Sequence, residues 1–110
     1  MRNLDQTFAA LADPTRRAIL ARLTLGDASV AELAEPFDMS VRAVSLHVSV
    51  LEKAGLVSRS KDAQRRPSRL ELAPLREVDA WLESYRKLWE GRFDRMADVL
   101  RDEQTKGSGK

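Results

Sequence analysis

Between Ser40 and Arg69 the chain carries Arg42, Lys53, Arg59, Lys61, Arg65, Arg66 and Arg69 against only Glu52 and Asp62, a net charge of +5. The chain as a whole is +2, so everything outside this block sums to −3. A cationic block in an otherwise acidic chain suits a polyanion, nucleic acid above all. Inside the block, Val44, Val48 and Leu51 recur at i, i+4 and i+7, the apolar face of a helix. Arg42, Ser45, Leu46 and Ser49 are left on its other side, with Ser40 and Val41 at its N-terminal end. In a major groove, Arg42 can pair bidentately with guanine, Ser45 can reach a base edge or a phosphate, and Leu46 can touch a thymine methyl. The plainer reading is a solvated helix face, against which an exposed leucine argues. Arg59, Lys61, Arg65, Arg66 and Arg69 have a different use, because each phosphate they neutralise releases counterions and adds affinity without regard to sequence.

Other chemistry is thinly represented. The chain has no cysteine, which excludes disulfides, thiolate metal ligands and thiol nucleophiles together. Its one histidine, His47, lies beside the apolar stripe and reads as a packed, hydrogen-bonded side chain, not as a metal ligand. With no glycine-rich phosphate loop and no nucleophile–base pairing, the chain is expected to be no enzyme and to need no cofactor. Arg16 and Arg17 can serve equally for phosphate contact or for pairing with acidic neighbours.

The elements that position these groups follow from periodicity and caps. Leu4, Phe8, Leu11 and Ala12 predict a short amphipathic helix over 3–12. Asp13-Pro14 caps and opens a second, with Ala18, Ile19, Leu23 and Leu25 as its apolar side and Gly26 ending it. Ser29-Val30-Ala31-Glu32 is a capping box for a third helix reaching about Phe37. Ser40 caps a fourth over 41–54, stopped by Gly55. Two helices joined by a short turn, the second inside the basic block, form a helix-turn-helix. Beyond Gly55 the period changes to two, and Leu56–Lys61 and Arg69–Leu72 predict two strands joined by the polar, basic stretch Asp62–Pro67, a wing.

From Pro74 on, Leu75, Val78, Leu82, Tyr85, Trp89, Phe93, Met96 and Leu100 follow spacings of three and four. A helix over 75–101 is about 40 Å long, more than a small domain covers by itself. A second copy of the chain is the simplest cover, which makes Leu75, Val78, Leu82, Tyr85, Trp89, Phe93 and Met96 the expected dimer interface. Trp81, Tyr85 and Trp89 could instead line a ligand pocket, and an inducing ligand stays unspecified. The expected architecture is mainly α with one small β-hairpin, a single domain over 1–101, and a disordered tail over 102–110. The longest stretch without Asp, Glu, Lys or Arg, Ala43–Leu51, is nine residues, so no membrane partner is expected. No secretory signal is visible at the start, which points to a cytoplasmic protein.

Three stretches carry a closer likeness: Leu11-Ala12-Asp13-Pro14-Thr15-Arg16-Arg17-Ala18-Ile19-Leu20, Ser29-Val30-Ala31-Glu32-Leu33-Ala34, and Ala43 through Val57 with its SxHxxxLxxAGLV pattern. Together they strongly resemble the ArsR/SmtB family of bacterial winged-helix repressors, over about Phe8 to Leu100. The resemblance implies a homodimer that binds inverted-repeat operators in double-stranded DNA and blocks transcription, paired through its first and last helices, which adds Leu4 and Phe8 to the interface. Metal-sensing members resemble one another in bearing cysteines on the third helix or a His/Asp/Glu set on the last. Here Val30-Ala31-Glu32-Leu33 and Trp81-Leu82-Glu83-Ser84 stand instead, so no metal is expected. Leu46 and Ser49 also replace the polar or basic residues usual on the recognition helix, Arg42 stands where proline or a polar residue is common, and Ala63 where the wing often has glycine. The rival reading is a winged helix turned to protein binding through Leu46 and the long helix, with little specific DNA binding.

Overall fold

The computed structural model describes residues 4–61 and 66–108, leaving aside the side chains of 92–99 and 101–108. The elements run α1 (Leu4–Leu11), α2 (Pro14–Leu23), α3 (Val30–Ala34), α4 (Val41–Lys53), β1 (Val57–Arg59), β2 (Ser68–Leu70) and α5 (Ala73–Ser108). This is the mainly helical, one-hairpin winged helix-turn-helix expected from the sequence. The chain divides into two compact units, Met1–Glu77 and Val78–Lys110.

Each short helix starts where its cap dictates. Asp13 sits extended before Pro14 and accepts the Arg16 N–H at 3.0 Å, while Pro14 has no N–H to leave unpaired. Ser29 and Glu32 close a reciprocal capping box. Ser40 accepts the Ala43 N–H at 3.1 Å and so sets the first turn of α4. That helix ends in a Schellman motif: Gly55, at φ +78°, donates to the Glu52 carbonyl, and Leu56 donates to that of Leu51. Leu51 and Leu56 are both fully buried, the apolar contact that seals such an end. The third helix stops at Ala34, earlier than the expected Phe37, because Pro36 has no N–H for the Glu32 carbonyl.

The core lies within the first unit. Ile19, Leu33, Val44, Val48, Leu51 and Leu56 are its largest fully buried apolar side chains, with Leu11, Val30, Phe37, Leu70 and Leu75 packed around them. Leu75, expected in a dimer interface, is half-buried and packs against this core. It sits just inside α5, where the chain returns from the hairpin and apolar surface of its own fold is at hand. β1 and β2 pair antiparallel with Val57 opposite Leu70, Ser58 opposite Arg69 and Arg59 opposite Ser68. An isolated bridge the sequence did not announce ties Ala28 to Ser68 by two backbone hydrogen bonds, anchoring the hairpin to the α2–α3 connection.

Two expectations fall on the second unit. The helix ends at Ser108 instead of Arg101, so most of the expected disordered tail is helical. Arg101-Asp102-Glu103-Gln104 contains neither glycine nor proline, and adding a residue to a helix already running costs far less than starting one. Among the described residues, no helix is long and apolar enough to cross a membrane.

Ser68 is fully buried, yet its hydroxyl finds no partner among the described residues. An unsatisfied buried hydroxyl opposes folding, and alanine removes it at the loss of one small atom. Ser68→Ala is expected to stabilise the chain by about 1 kcal/mol, raising Tm by roughly 5 °C in calorimetry. A lowered Tm would show that the hydroxyl is bonded in solution.

Candidate nucleic-acid interface

The helix α4 has two chemically opposed faces. Val44, Val48 and Leu51 are 0% exposed, whereas Leu46, on the opposite side, is 64% exposed and Val41, in the first turn, 53%. Arg42 is exposed one turn before Leu46. Ser40 is exposed at the cap, and Ser45 and Ser49 are half-buried along the edge. The six residues expected to reach a groove thus lie on one helix, and the core contacts of Val44, Val48 and Leu51 fix which way that helix is turned.

Arg59 has a different destination. Its side chain is only 12% exposed, and its Nη2 donates to the Ser45 carbonyl at 3.2 Å and to the Ser49 hydroxyl at 3.3 Å. Its Nε lies 3.8 Å from a Glu52 carboxylate oxygen, an ion-pair distance too long for a hydrogen bond. Arg59 therefore fastens β1 to the flank of α4, with Nη2 turned inward, while the Ser49 hydroxyl, which only accepts here, keeps its O–H to donate. A signal for this was present: period two from the buried Val57 places Arg59 on the same, core-facing side of the strand. The outward pair is Ser58 and Arg69.

The hairpin keeps Lys61, Arg66 and Arg69 exposed, although Arg69 also pairs with Asp27 at 3.3 Å. Arg66 holds φ +38°, a left-handed backbone that glycine adopts more easily. Arg65 and the wing-tip Ala63 lie outside the described residues. In the second unit, Trp81, Leu82, Tyr85, Leu88 and Trp89 line an apolar groove along α5, with the rings of Trp81 and Tyr85 5.1 Å apart. Val78 is half-buried, and Phe93 and Met96 are expected interface residues whose side chains lie outside those described. On α1, Leu4 is half-buried and Phe8 exposed.

Arg16 and Arg17 both reach back to backbone carbonyls at the end of α1. Arg16 donates from Nε to the Ala10 carbonyl at 2.7 Å, from Nη2 to that of Ala9 at 3.0 Å, and meets His47 Nδ1 from Nη1 at 3.2 Å. Arg17 reaches the Leu11 carbonyl at 2.8 Å. Carbonyls in the last turn of α1 thereby accept from cations of α2, an arrangement the helix dipole also favours. Because a guanidinium can only donate, His47 Nδ1 accepts, and the histidine joins α4 to α2 as a packed, hydrogen-bonded group. Among the described residues, no cluster of three or more His, Cys, Asp or Glu could hold a metal ion.

The Asp13 carboxylate is held below its ordinary value, chiefly by the Arg16 backbone N–H it accepts, with nearby His47 and Arg16 adding to the effect against some desolvation. A folded-state value below the unfolded one means that this carboxylate contributes stability above the ordinary 3.8 and loses it as pH falls through the lower folded value. In denaturant unfolding, the stability difference between wild type and Asp13→Asn is expected to be level from pH 5 to 7 and to change only below about pH 4. A difference that stays level below pH 4 as well would show that the Asp13 carboxylate contributes no such stability.

Comparison with known proteins agrees with this geometry. A family described as helix-turn-helix domain matches residues 11–59. The chain is 45% identical over 78 residues to a helix-turn-helix-type transcriptional regulator of Mycobacterium tuberculosis, covering 68% of this chain and 73% of that protein. The crystal structure of an ArsR family transcriptional regulator superposes with a TM-score of 0.73 at 45% identity, over 79% of this chain and 96% of the other. The solution structure of a homodimeric winged helix-turn-helix DNA-binding domain from Mycobacterium bovis, described as a possible ArsR-family regulator, gives a TM-score of 0.59 at 25% identity, over 76% of this chain and 81% of that one. With a core-locked α4, a hairpin bridged to the α2–α3 connection and these relatives, the chain belongs to the ArsR family of winged helix-turn-helix transcriptional regulators, which are DNA-binding proteins and not enzymes.

Proposed function

We propose that the chain works as a homodimer that recognises an inverted-repeat operator through α4 and represses transcription by covering the promoter, without a resident metal. The observation that carries the DNA reading is the division of α4: three side chains at 0% exposure hold it, and Arg42 and Leu46 stand exposed on the far side, with Ser45 half-buried at the edge and Ser40 and Val41 at the near end. Lys61, Arg66 and Arg69 supply phosphate contacts, joined by Arg65 from the same basic stretch of sequence. The dimer is supported by the exposed apolar groove of α5, by Phe8 on α1, and by the homodimeric solution-structure neighbour. Two recognition helices related by a two-fold axis require half-sites about 34 Å apart, one turn of duplex.

Base edges carry sequence information and phosphates do not, so the two sets of residues should fail differently. Arg42→Ala is expected to weaken binding to a selected operator by about 1 to 3 kcal/mol per lost base contact and to relax preference at one position in each half-site. Arg66→Ala should weaken binding to all duplexes together. The slope of log affinity against log salt should become shallower by about one per phosphate contact, counted twice in the dimer. If both variants lose affinity in the same sequence-blind way, α4 is not the reading element and the protein-binding alternative takes its place.

A further inference from the structure

The face of α4 directly opposite the core is led by Leu46, a residue that can neither bond a phosphate nor pair with a polar base edge. Ser49, three residues on, has its hydroxyl engaged by Arg59, and Arg42, one turn earlier, is the nearest cation on the same face. The centre of the proposed reading surface is therefore apolar. Among the groups that B-form DNA offers in its major groove, the one apolar group on a base edge is the C5-methyl of thymine. We infer that Leu46 determines specificity by packing on a thymine C5-methyl, with Arg42 on a guanine next to it in the half-site.

This inference rests on α4 being the recognition helix and adds which chemical group it reads. Side chains at i and i+4 stand about 5–6 Å apart on a helix, and base pairs stack at about 3.4 Å, so the guanine and the thymine fall one or two base steps apart. Leu46 is the most exposed large apolar side chain of α4, so truncating it is expected to leave the domain folded.

The test starts from an operator selected out of random duplex DNA with the wild-type chain. Each thymine is then replaced in turn by deoxyuridine, which keeps every hydrogen-bonding edge and removes only the methyl. At one thymine per half-site, uracil is expected to lower affinity about four-fold, and about fifteen-fold when both half-sites are changed, as burial of a single methyl implies. In Leu46→Ala, with circular dichroism confirming the fold, that penalty should vanish at this thymine and nowhere else. Affinity indifferent to uracil at every thymine would overturn the inference while leaving the operator reading intact, as would a penalty that persists unchanged in Leu46→Ala. A wild-type chain that enriches no sequence would overturn the recognition-helix reading itself.

Discussion

Trp89→Glu or Leu82→Glu is expected to convert the protein from a dimer to a monomer in light scattering and to lower its affinity for a two-half-site operator by at least about 100-fold, since a monomer keeps the contacts of one half-site only. The α5 groove leaves Trp81, Tyr85, Leu88 and Trp89 exposed along one helix, and such a row of large apolar residues is unusual on a surface that meets only water. A carboxylate placed between two such faces would have to be desolvated without a partner, a cost of several kcal/mol that an interface of this kind cannot absorb. The described core residues all lie between Ala10 and Leu75, so the winged helix itself should stay folded. A wild-type chain that is monomeric at micromolar concentration, or glutamate variants that dimerise and bind as before, would reject the dimer.

Arg16→Met should be the most damaging single change among the polar residues of the first unit. It keeps the aliphatic stem but removes donors to the Ala9 and Ala10 carbonyls and to His47, and so unties α1, α2 and α4 at one point. Charge-assisted bonds to partly buried acceptors are worth about 1.5–3 kcal/mol each when solvent cannot replace them, and water reaches part of this site. A total loss of roughly 2–4 kcal/mol is therefore expected, read as a Tm drop of about 10 °C or more. Arg17→Met, which gives up one exposed bond to the Leu11 carbonyl, should cost under about 1 kcal/mol. Equal losses for the two variants would show that Arg16 does not hold these elements together.

The contrast between these two arginines shows where sequence reasoning reaches its limit. Adjacent in the chain and identical in type, they differ only in what the fold brings near them. His47 is 31 residues from Arg16, and nothing between them announces the contact. Arg59 meets the Ser45 carbonyl 14 residues away, and Arg69 meets Asp27 across 42. A long flexible cation can reach in many directions, and its choice follows from which carbonyls and carboxylates the packed helices leave unpaired.

What the sequence determined by itself is what depends on neighbours within about one turn. Asp13-Pro14, the Ser29–Glu32 box, Ser40 and Gly55 mark their helix ends, because each uses a hydrogen bond or a backbone angle that the local residues supply alone. The stripe Val44, Val48, Leu51 likewise fixed the buried side of α4, and with it the residues facing away, since a 3.6-residue period needs no knowledge of the partner. Only the tertiary structure decided that Arg59 and Ser49 fasten the hairpin to that helix, that Leu75 packs against the core, and that Ser68 bridges to Ala28. Those outcomes depend on separate segments meeting in space, and the free energy that selects them comes from packing and from satisfying buried polar groups, which no local pattern encodes.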